Sequence, residues 1–346
     1  MADRDVKLED EFLIAILEEV ETSLYDGNLS KAADLLDKSK KPFESARPRI
    51  YANFLLKMGW VHIRRRRMAE AISEFKEATK IIEDRPKGNP EWDRLRQDKL
   101  WGESRIAKIK GNYTESEEIL EKALRKRKAK DEITARVLID LAIIQVEKGS
   151  FKSGMDNYLK GIWILEKTDD KKELARAYNN ISDAYLRNEG WGNALENADK
   201  CIILCKELGN KRIQGFGSMN AAEACIRMGN IDMAREYIDA CKAVWTDSKE
   251  YYDLGCMYYI EGMMESEDGN FEKAEDAFDR SLDLLENTDH KFQVGRIFHE
   301  YGRMFIKKGD KDSAREKLQE AQRILDEYSI VDELKLVYRT LESLDS

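Results

Sequence analysis

A chain that repeats itself about every 40 residues cannot bury its apolar side chains in one ordinary globule, because each copy must present the same face to the next. This 346-residue sequence does so eight times. A phrase of the form Gly-Asn-aromatic-x-x-Ala recurs at Gly27-Asn28-Leu29, Gly111-Asn112-Tyr113, Gly149-Ser150-Phe151, Gly229-Asn230-Ile231, Gly269-Asn270-Phe271 and Gly309-Asp310-Lys311. Arg66-Arg67-Met68 and Glu189-Gly190-Trp191 hold the same phase without the leading glycine. The third residue of each phrase, at positions 29, 68, 113, 151, 191, 231, 271 and 311, marks spacings of 39, 45, 38, 40, 40, 40 and 40 residues.

Side-chain size follows the same clock. Three residues after each marker stands a small residue: Ala32, Ala71, Ser116, Gly154, Ala194, Ala234, Ala274 and Ala314. Ten residues after it the same holds, with Ser39, Ala78, Ala123, Gly161, Cys201, Cys241, Ser281 and Ala321. The position seven on is Leu36, Phe75, Leu120, Tyr158, Ala198, Ile238, Phe278 and Leu318, and offsets of 0, 3, 7 and 10 lie on one helical face. Nine residues before the marker another small residue recurs (Gly59, Ser104, Ala142, Ser182, Ala222, Gly262 and Gly302), with Val20 the exception. A second helix therefore precedes each marked one. Two antiparallel helices approach closely where small side chains admit the neighbouring backbone and a larger residue fills the gap beside them. Gly followed by Asn or Asp stops the first helix and caps the second.

The pattern of small, large and small at fixed offsets resembles the tetratricopeptide repeat, and Ile181-Ser182-x-x-Tyr185 with Trp191, Ala194 and Cys201 is the nearest copy. The 40-residue spacing and Ala177-Tyr178-Asn179-Asn180-Ile181-Ser182 are similar to the longer variant of Pins-type adaptors, kinesin light chains and bacterial peptide-sensing regulators. The resemblance implies an all-α, right-handed superhelical solenoid of about eight helix-turn-helix repeats, over approximately 8–44, 50–84, 92–130, 133–168, 173–208, 213–248, 252–288 and 293–328, forming a single domain over 1–346. A capping helix is expected at 330–344, with Leu334, Val337, Tyr338 and Leu341 on one side. The family's proline after the second helix is absent from the regular copies. The 45-residue gap holds Arg85-Pro86-Lys87-Gly88-Asn89-Pro90, a loop insertion at 84–91. The helix after it, Trp92 to Ile109, departs most from the pattern, so a bend or irregular packing is expected there.

The resemblance also implies a concave wall lined by the first helix of each pair, here helix A. Placed by phase, the candidate peptide groove comprises Lys57, Trp101, Arg105, Arg136, Arg176, Asn179, Asn180, Phe216, Asn220, Tyr259, Met263 and Arg303. Asparagine suits such a groove because one amide both donates to and accepts from a peptide backbone. Asn180 and Asn220 share the offset where family members often place a clamp; the alternative is ordinary hydrogen bonding between helices. Trp101, Phe216, Tyr259 and Met263 would anchor, and Lys57, Arg105, Arg136 and Arg176 would orient, an acidic or carboxylate-terminated segment.

Charge is unevenly spread. The whole chain carries a formal net charge of -9, yet residues 51–130 hold 21 basic against 13 acidic side chains. This basic segment includes Arg64, Arg65, Arg66 and Arg67 at one helix end and Lys122, Arg125, Lys126, Arg127 and Lys128 at another. Cations at helix C-termini are favourable in themselves. Nucleic acid is a weaker reading than an acidic protein segment, because the pI is about 5.3 and aromatics do not interleave the basic runs. No stretch approaches the roughly 18 apolar residues of a membrane helix. The start, Met-Ala-Asp-Arg-Asp, lacks a secretory leader's pattern. Five cysteines between Cys201 and Cys256 form no secreted disulfide framework, so a cytoplasmic protein without membrane contact is expected. Cys201, Cys205 and Cys241 fill small-residue positions rather than a metal site. No phosphate, dinucleotide, acyl-transfer or zinc-hydrolase motif occurs, so neither catalysis nor a cofactor is expected. What remains is a scaffold binding another protein, with a peptide-gated regulator as the alternative.

Overall fold

A computed structural model describes residues 2–65, 67–125, 130–245, 251–286, 290–327 and 331–345. Among the described residues there are seventeen α-helices and no strand. They pack as successive pairs: α1 (Ala2–Tyr25) with α2 (Leu29–Glu44), α3 (Pro48–Arg64) with α4 (Met68–Glu83), α5 (Pro90–Ile109) with α6 (Tyr113–Arg125), and α7 (Glu132–Glu147) with α8 (Phe151–Thr168). These eight helices make one compact unit, Met1–Thr168. In the second unit, Asp169–Ser346, α9 (Lys171–Arg187) pairs with α10 (Trp191–Leu208), α11 (Lys211–Arg227) with α12 (Ile231–Trp245), α13 (Tyr251–Glu267) with α14 (Phe271–Leu285), and α15 (Lys291–Lys308) with α16 (Lys311–Glu327). The last helix, α17 (Val331–Asp345), lies against α16 and buries Val337 and Leu344. Every helix A thus begins a hairpin whose second member starts at a marker residue.

The turn inside each hairpin explains the recurring phrase. The six leading glycines, Gly27, Gly111, Gly149, Gly229, Gly269 and Gly309, have φ between +76 and +83°, where a side chain would strain the backbone. The next residue's amide reaches back to close helix A, as Asn230 N does to Cys225 O at 2.9 Å, and its side chain caps helix B, as Asn28 Oδ1 does by accepting from Lys31 N at 3.1 Å. In one of the two copies without a leading glycine, Glu189 takes the left-handed conformation itself, with φ +59°.

The small columns are where the paired helices touch. Ala32, Ala71, Ser116, Ala194, Ala234, Ala274 and Ala314 are fully buried. A Cβ placed on Gly59, Gly262 or Gly302 would come within 2.8 Å of Phe75, Phe278 or Leu318, the large residue of the facing helix in its own pair. Where this column holds serine, its hydroxyl bonds across: Ser182 Oγ donates to Ala194 O at 2.8 Å, and Ser116 Oγ to Ser104 O at 3.0 Å. The structure adds a second close approach at the other end of three pairs. Gly215 faces Trp245, Gly255 faces Leu285 and Gly295 faces Leu325, each within 2.5 Å of a built Cβ.

The inserted loop is held by Arg96, whose Nη2 donates to Ile82 O at 3.1 Å and Arg85 O at 2.6 Å. The following helix, α5, is unbroken from Asn89, which caps it, to Ile109. No helix among the described residues is long and apolar enough to cross a membrane.

Two stability measurements follow. Gly262→Val should destabilise the chain by about 1–3 kcal/mol through overpacking against Phe278, and Phe278→Leu in the same chain should recover part of the loss, read from urea unfolding midpoints. Glu189→Gly should raise stability by about 1 kcal/mol by relieving the left-handed backbone; an unchanged or lower midpoint would show that the turn carries no such strain.

Candidate functional site

The core columns consume one side of each helix A and leave the other for polar residues. In the first unit this free side draws together α3, α5 and α7. Trp60 and Trp101 lie with ring centroids 4.4 Å apart, and Trp101 Nε1 donates to the Asp140 carboxylate. Lys57 Nζ is 3.1 Å from Glu21 Oε2 on α1. Burial alone would raise the Glu21 carboxyl, but Lys57 and Arg94 hold it below the usual carboxylate range. Between α5 and the start of α7 opens a cavity of about 210 Å³, whose walls include Arg94, Gln97, Asp98, Trp101, Arg136 and Val137. Of the sequence-derived groove residues, Lys57, Trp101 and Arg136 therefore gather near one cavity. Arg105 lies one turn on, exposed beside Trp101 and Asp140.

In the second unit the helix-A side is more fully occupied by the chain itself. Arg176 pairs with Glu173 at 3.1 Å. Asn220 Nδ2 on α11 donates to Asn179 O on α9 at 3.2 Å, one repeat earlier, so this amide is engaged between helices; Asn180 is half-buried beside it in sequence. Phe216 packs edge-on to Trp245 with centroids 5.1 Å apart, under the Arg212 guanidinium 5.2 Å from its ring. Tyr259 and Met263 on α13 are buried, at 1% and 3% exposure. Charge pairs reach past them from α11 to α15: Arg296 Nη2 lies 2.9 Å from Glu223 Oε1 and Arg227 Nη2 lies 2.7 Å from Glu300 Oε1. Arg303 joins the same Glu300 carboxylate at 2.9 Å, and Arg296 stands 5.3 Å above the Tyr259 ring. On α17, Glu333 lies 3.6 Å from His299 Nδ1, and Thr340 Oγ1 is 2.9 Å from His299 Nε2, which fastens the last helix to α15.

The described residues of the basic segment differ in their surroundings. Arg64, exposed at the end of α3, donates to Leu24 O at 2.5 Å at the end of α1. Arg67, Lys122 and Arg125 are exposed, Arg65 is half-buried at the end of α3, and Arg125 pairs with Glu121 at 2.8 Å. Arg66, Lys126, Arg127 and Lys128 lie outside the described residues. Cys201 and Cys205 place their sulfurs 3.9 Å apart in the core, and no group of three metal-ligating side chains occurs among the described residues.

Arg227, Glu333, Gln97 and Asp98 were not among the sequence-derived candidates. Arg227 follows Glu223 by four residues, a helical ion-pair spacing. Gln97 stands sixteen residues before its marker, where six other copies have Ala52, Ala135, Ala175, Gly215, Gly255 and Gly295, so its size was the available signal.

Residues 253–327 match the tetratricopeptide repeat family. This is a tetratricopeptide-repeat fold. A solved Rap protein complexed with Competence and Sporulation Factor superposes with a TM-score of 0.60 at 12% identity, covering 97% of this chain and 98% of that one. NprR in complex with its cognate peptide NprX gives 0.56 at 10% identity, over 96% and 98% of the two chains. A tetratricopeptide repeat protein from Parabacteroides merdae gives 0.52 at 15% identity, over 83% and 98%. No curated protein matches the sequence. At these identities the likeness is one of fold, and it agrees with the helical hairpins read from the 40-residue period.

The ion pairs of the tetratricopeptide face predict an acid sensitivity. Burial pushes the Glu300 carboxyl up, yet Arg227, Arg303 and His299 together hold it well below the usual carboxylate range. A depressed carboxylate stabilises the fold above its unfolded value of about 4.3 and loses that contribution as pH falls through the folded value. Unfolding midpoints should therefore drop below about pH 4 more steeply in the natural chain than in Glu300→Gln. At pH 7 the substitution itself should cost up to about 3 kcal/mol, because Arg227 loses its partner.

Proposed function

We propose that the protein is a non-enzymatic interaction scaffold that holds a peptide or helical segment of another protein against the helix-A sides of its repeats. The observation that carries this is the convergence of polar side chains from successive helices A, of which Asn220 reaching Asn179 across one repeat is the clearest case. The core columns cannot use these groups, which leaves them to meet one another or a bound segment. Asn180 and Asn220 clamp the segment's backbone, and Trp101 and Phe216 supply apolar contact. Lys57, Arg176 and Arg303 already hold acidic neighbours, so an acidic segment binds by exchange against Glu21, Glu173 and Glu300. The five cysteines are free and buried, in keeping with the reducing cytoplasm in which we place the protein.

A second reading, a regulator gated by a small peptide, is favoured by the NprR neighbour, which was solved in complex with its cognate peptide NprX. Scattering profiles recorded with and without ligand separate the two: a gated regulator changes its dimensions, a passive scaffold does not.

The scaffold reading is tested with Asn180→Ala, Asn220→Ala. The double substitution should lower stability by only about 1 kcal/mol, the worth of one interhelical hydrogen bond, while weakening retention of the partner from source lysate on the immobilised protein. Retention of the same species, equally tightly, by both forms would place the binding surface elsewhere.

A further inference from the structure

The cavity between α5 and α7 has polar walls whose needs are unequal. Gln97 lines it at only 7% exposure, and its amide oxygen accepts no hydrogen bond among the described residues. A small residue, as in six other copies, would bury no polar atom here. A buried amide oxygen left without a donor is costly, so its retention at this position asks for a partner. The next residue of α5, Asp98, adds a carboxylate. This carboxylate, half-buried, lines the cavity, and no hydrogen bond to it is found among the described residues. Burial raises it although Lys57, Arg94 and Arg136 all act the other way, with Glu21 adding to the rise. Lys57 and Arg94 both turn to Glu21, at 3.1 and 4.0 Å, rather than to Asp98.

The rest of the cavity is suited to an apolar stem. Trp101 presents its indole, fixed from behind by Trp60 and Asp140, and Ile133 and Val137 of α7 complete an apolar wall. The lining holds the Asp98 carboxylate, the exposed Glu132 and Asp131, whose Oδ1 caps α7 by accepting from Thr134 N at 3.0 Å, beside the guanidinium groups of Arg94 and Arg136. Two acceptors without donors, beside an aromatic face, are complementary to a cation that donates several hydrogen bonds from the end of a hydrocarbon chain.

We propose that this cavity is a binding site for a guanidinium or ammonium group on an apolar stem: the arginine or lysine side chain of a bound segment. The head group donates to Asp98 and Gln97 while its methylenes lie along Trp101, Ile133 and Val137. The proposal takes the source of the side chain from the scaffold reading, but the site itself is defined by the first unit alone and uses none of the asparagine clamp.

The test uses the full chain and three small probes, N-acetyl-argininamide, N-acetyl-norleucinamide and N-acetyl-glutamic acid amide, followed through the indole NMR resonance of Trp101, assigned with Trp101→Phe. The arginine probe should shift this resonance saturably in the millimolar range expected of so small a ligand, and the other two should not. Asp98→Asn should weaken the arginine probe by about tenfold, Asp98→Glu by less, and Gln97→Ala by several-fold with the melting curve unchanged. A shift of equal size with the norleucine or glutamate probe would overturn the proposal, as would the absence of any shift or an undiminished affinity in folded Asp98→Asn. Failure here with partner retention still sensitive to Asn180 and Asn220 would remove the cation site and leave the scaffold reading standing.

Discussion

The close approach of the two helices in each pair is the constraint on which the rest of the molecule depends. At Gly59, Gly262 and Gly302 there is no room even for a methyl group, because Phe75, Phe278 and Leu318 occupy the space in which it would stand. A large residue on one helix set into an absence on its neighbour gains dispersion contacts on every side and fixes the axial register of the pair. With register fixed at this point and again where Gly255 and Gly295 meet Leu285 and Leu325, the hairpins α13–α14 and α15–α16 are each pinned at two levels. One repeat therefore offers the next a defined surface, and a 40-residue period can propagate through the sequence without specific ties between distant segments.

That constraint also dictates where chemistry can reside. The columns at offsets 3, 7 and 10 use the inner side of helix B, and those nine and sixteen residues before the marker use one side of helix A. The remaining side of helix A is where Lys57, Trp101, Asn220, Glu223, Arg296 and Glu300 are found. The two units treat this side differently. In the second, arginines and carboxylates from α11 and α15 meet over α13, so charges that would otherwise stand alone above buried Tyr259 are compensated within the chain. In the first, the basic groups cluster on Glu21 and the cavity wall keeps acceptors that the chain does not satisfy.

Most of the architecture was legible in the sequence because it is written in side-chain size, which changes little with context. Ser116, Ser182 and Ser281 sit at small-column positions and are buried there, and each hydroxyl found a carbonyl across the helix pair as packing at that distance requires. The polar side was legible only as a set of positions. Phase put Asn179 and Asn220 on the same side of neighbouring helices but could not say whether the Asn220 amide points to a ligand or back to a carbonyl, since both choices satisfy the same group. Long side chains were least legible: Arg227 and Glu300 are 73 residues apart and meet only because three intervening helices bring them within reach. Gln97 is an intermediate case. Its misfit in an otherwise small column was visible in the letters, but its unsatisfied oxygen belongs to three-dimensional structure.

The difference between satisfied and unsatisfied polar groups sets what each surface can recognise. Over α13 an incoming group has to replace an ion pair that is already made, so an isolated charge gains little: what it wins from Glu300 it loses by stranding Arg227. A segment carrying both signs at the spacing of Glu223 and Arg296 would lose less, because each displaced partner finds a substitute. In the α5–α7 cavity nothing has to be displaced for Gln97 and Asp98 to gain a donor, so a single cation recovers solvation that burial removed. Selectivity on these two surfaces thus arises from different terms, exchange in one and unmet demand in the other, although both are built from the same side of the same repeat.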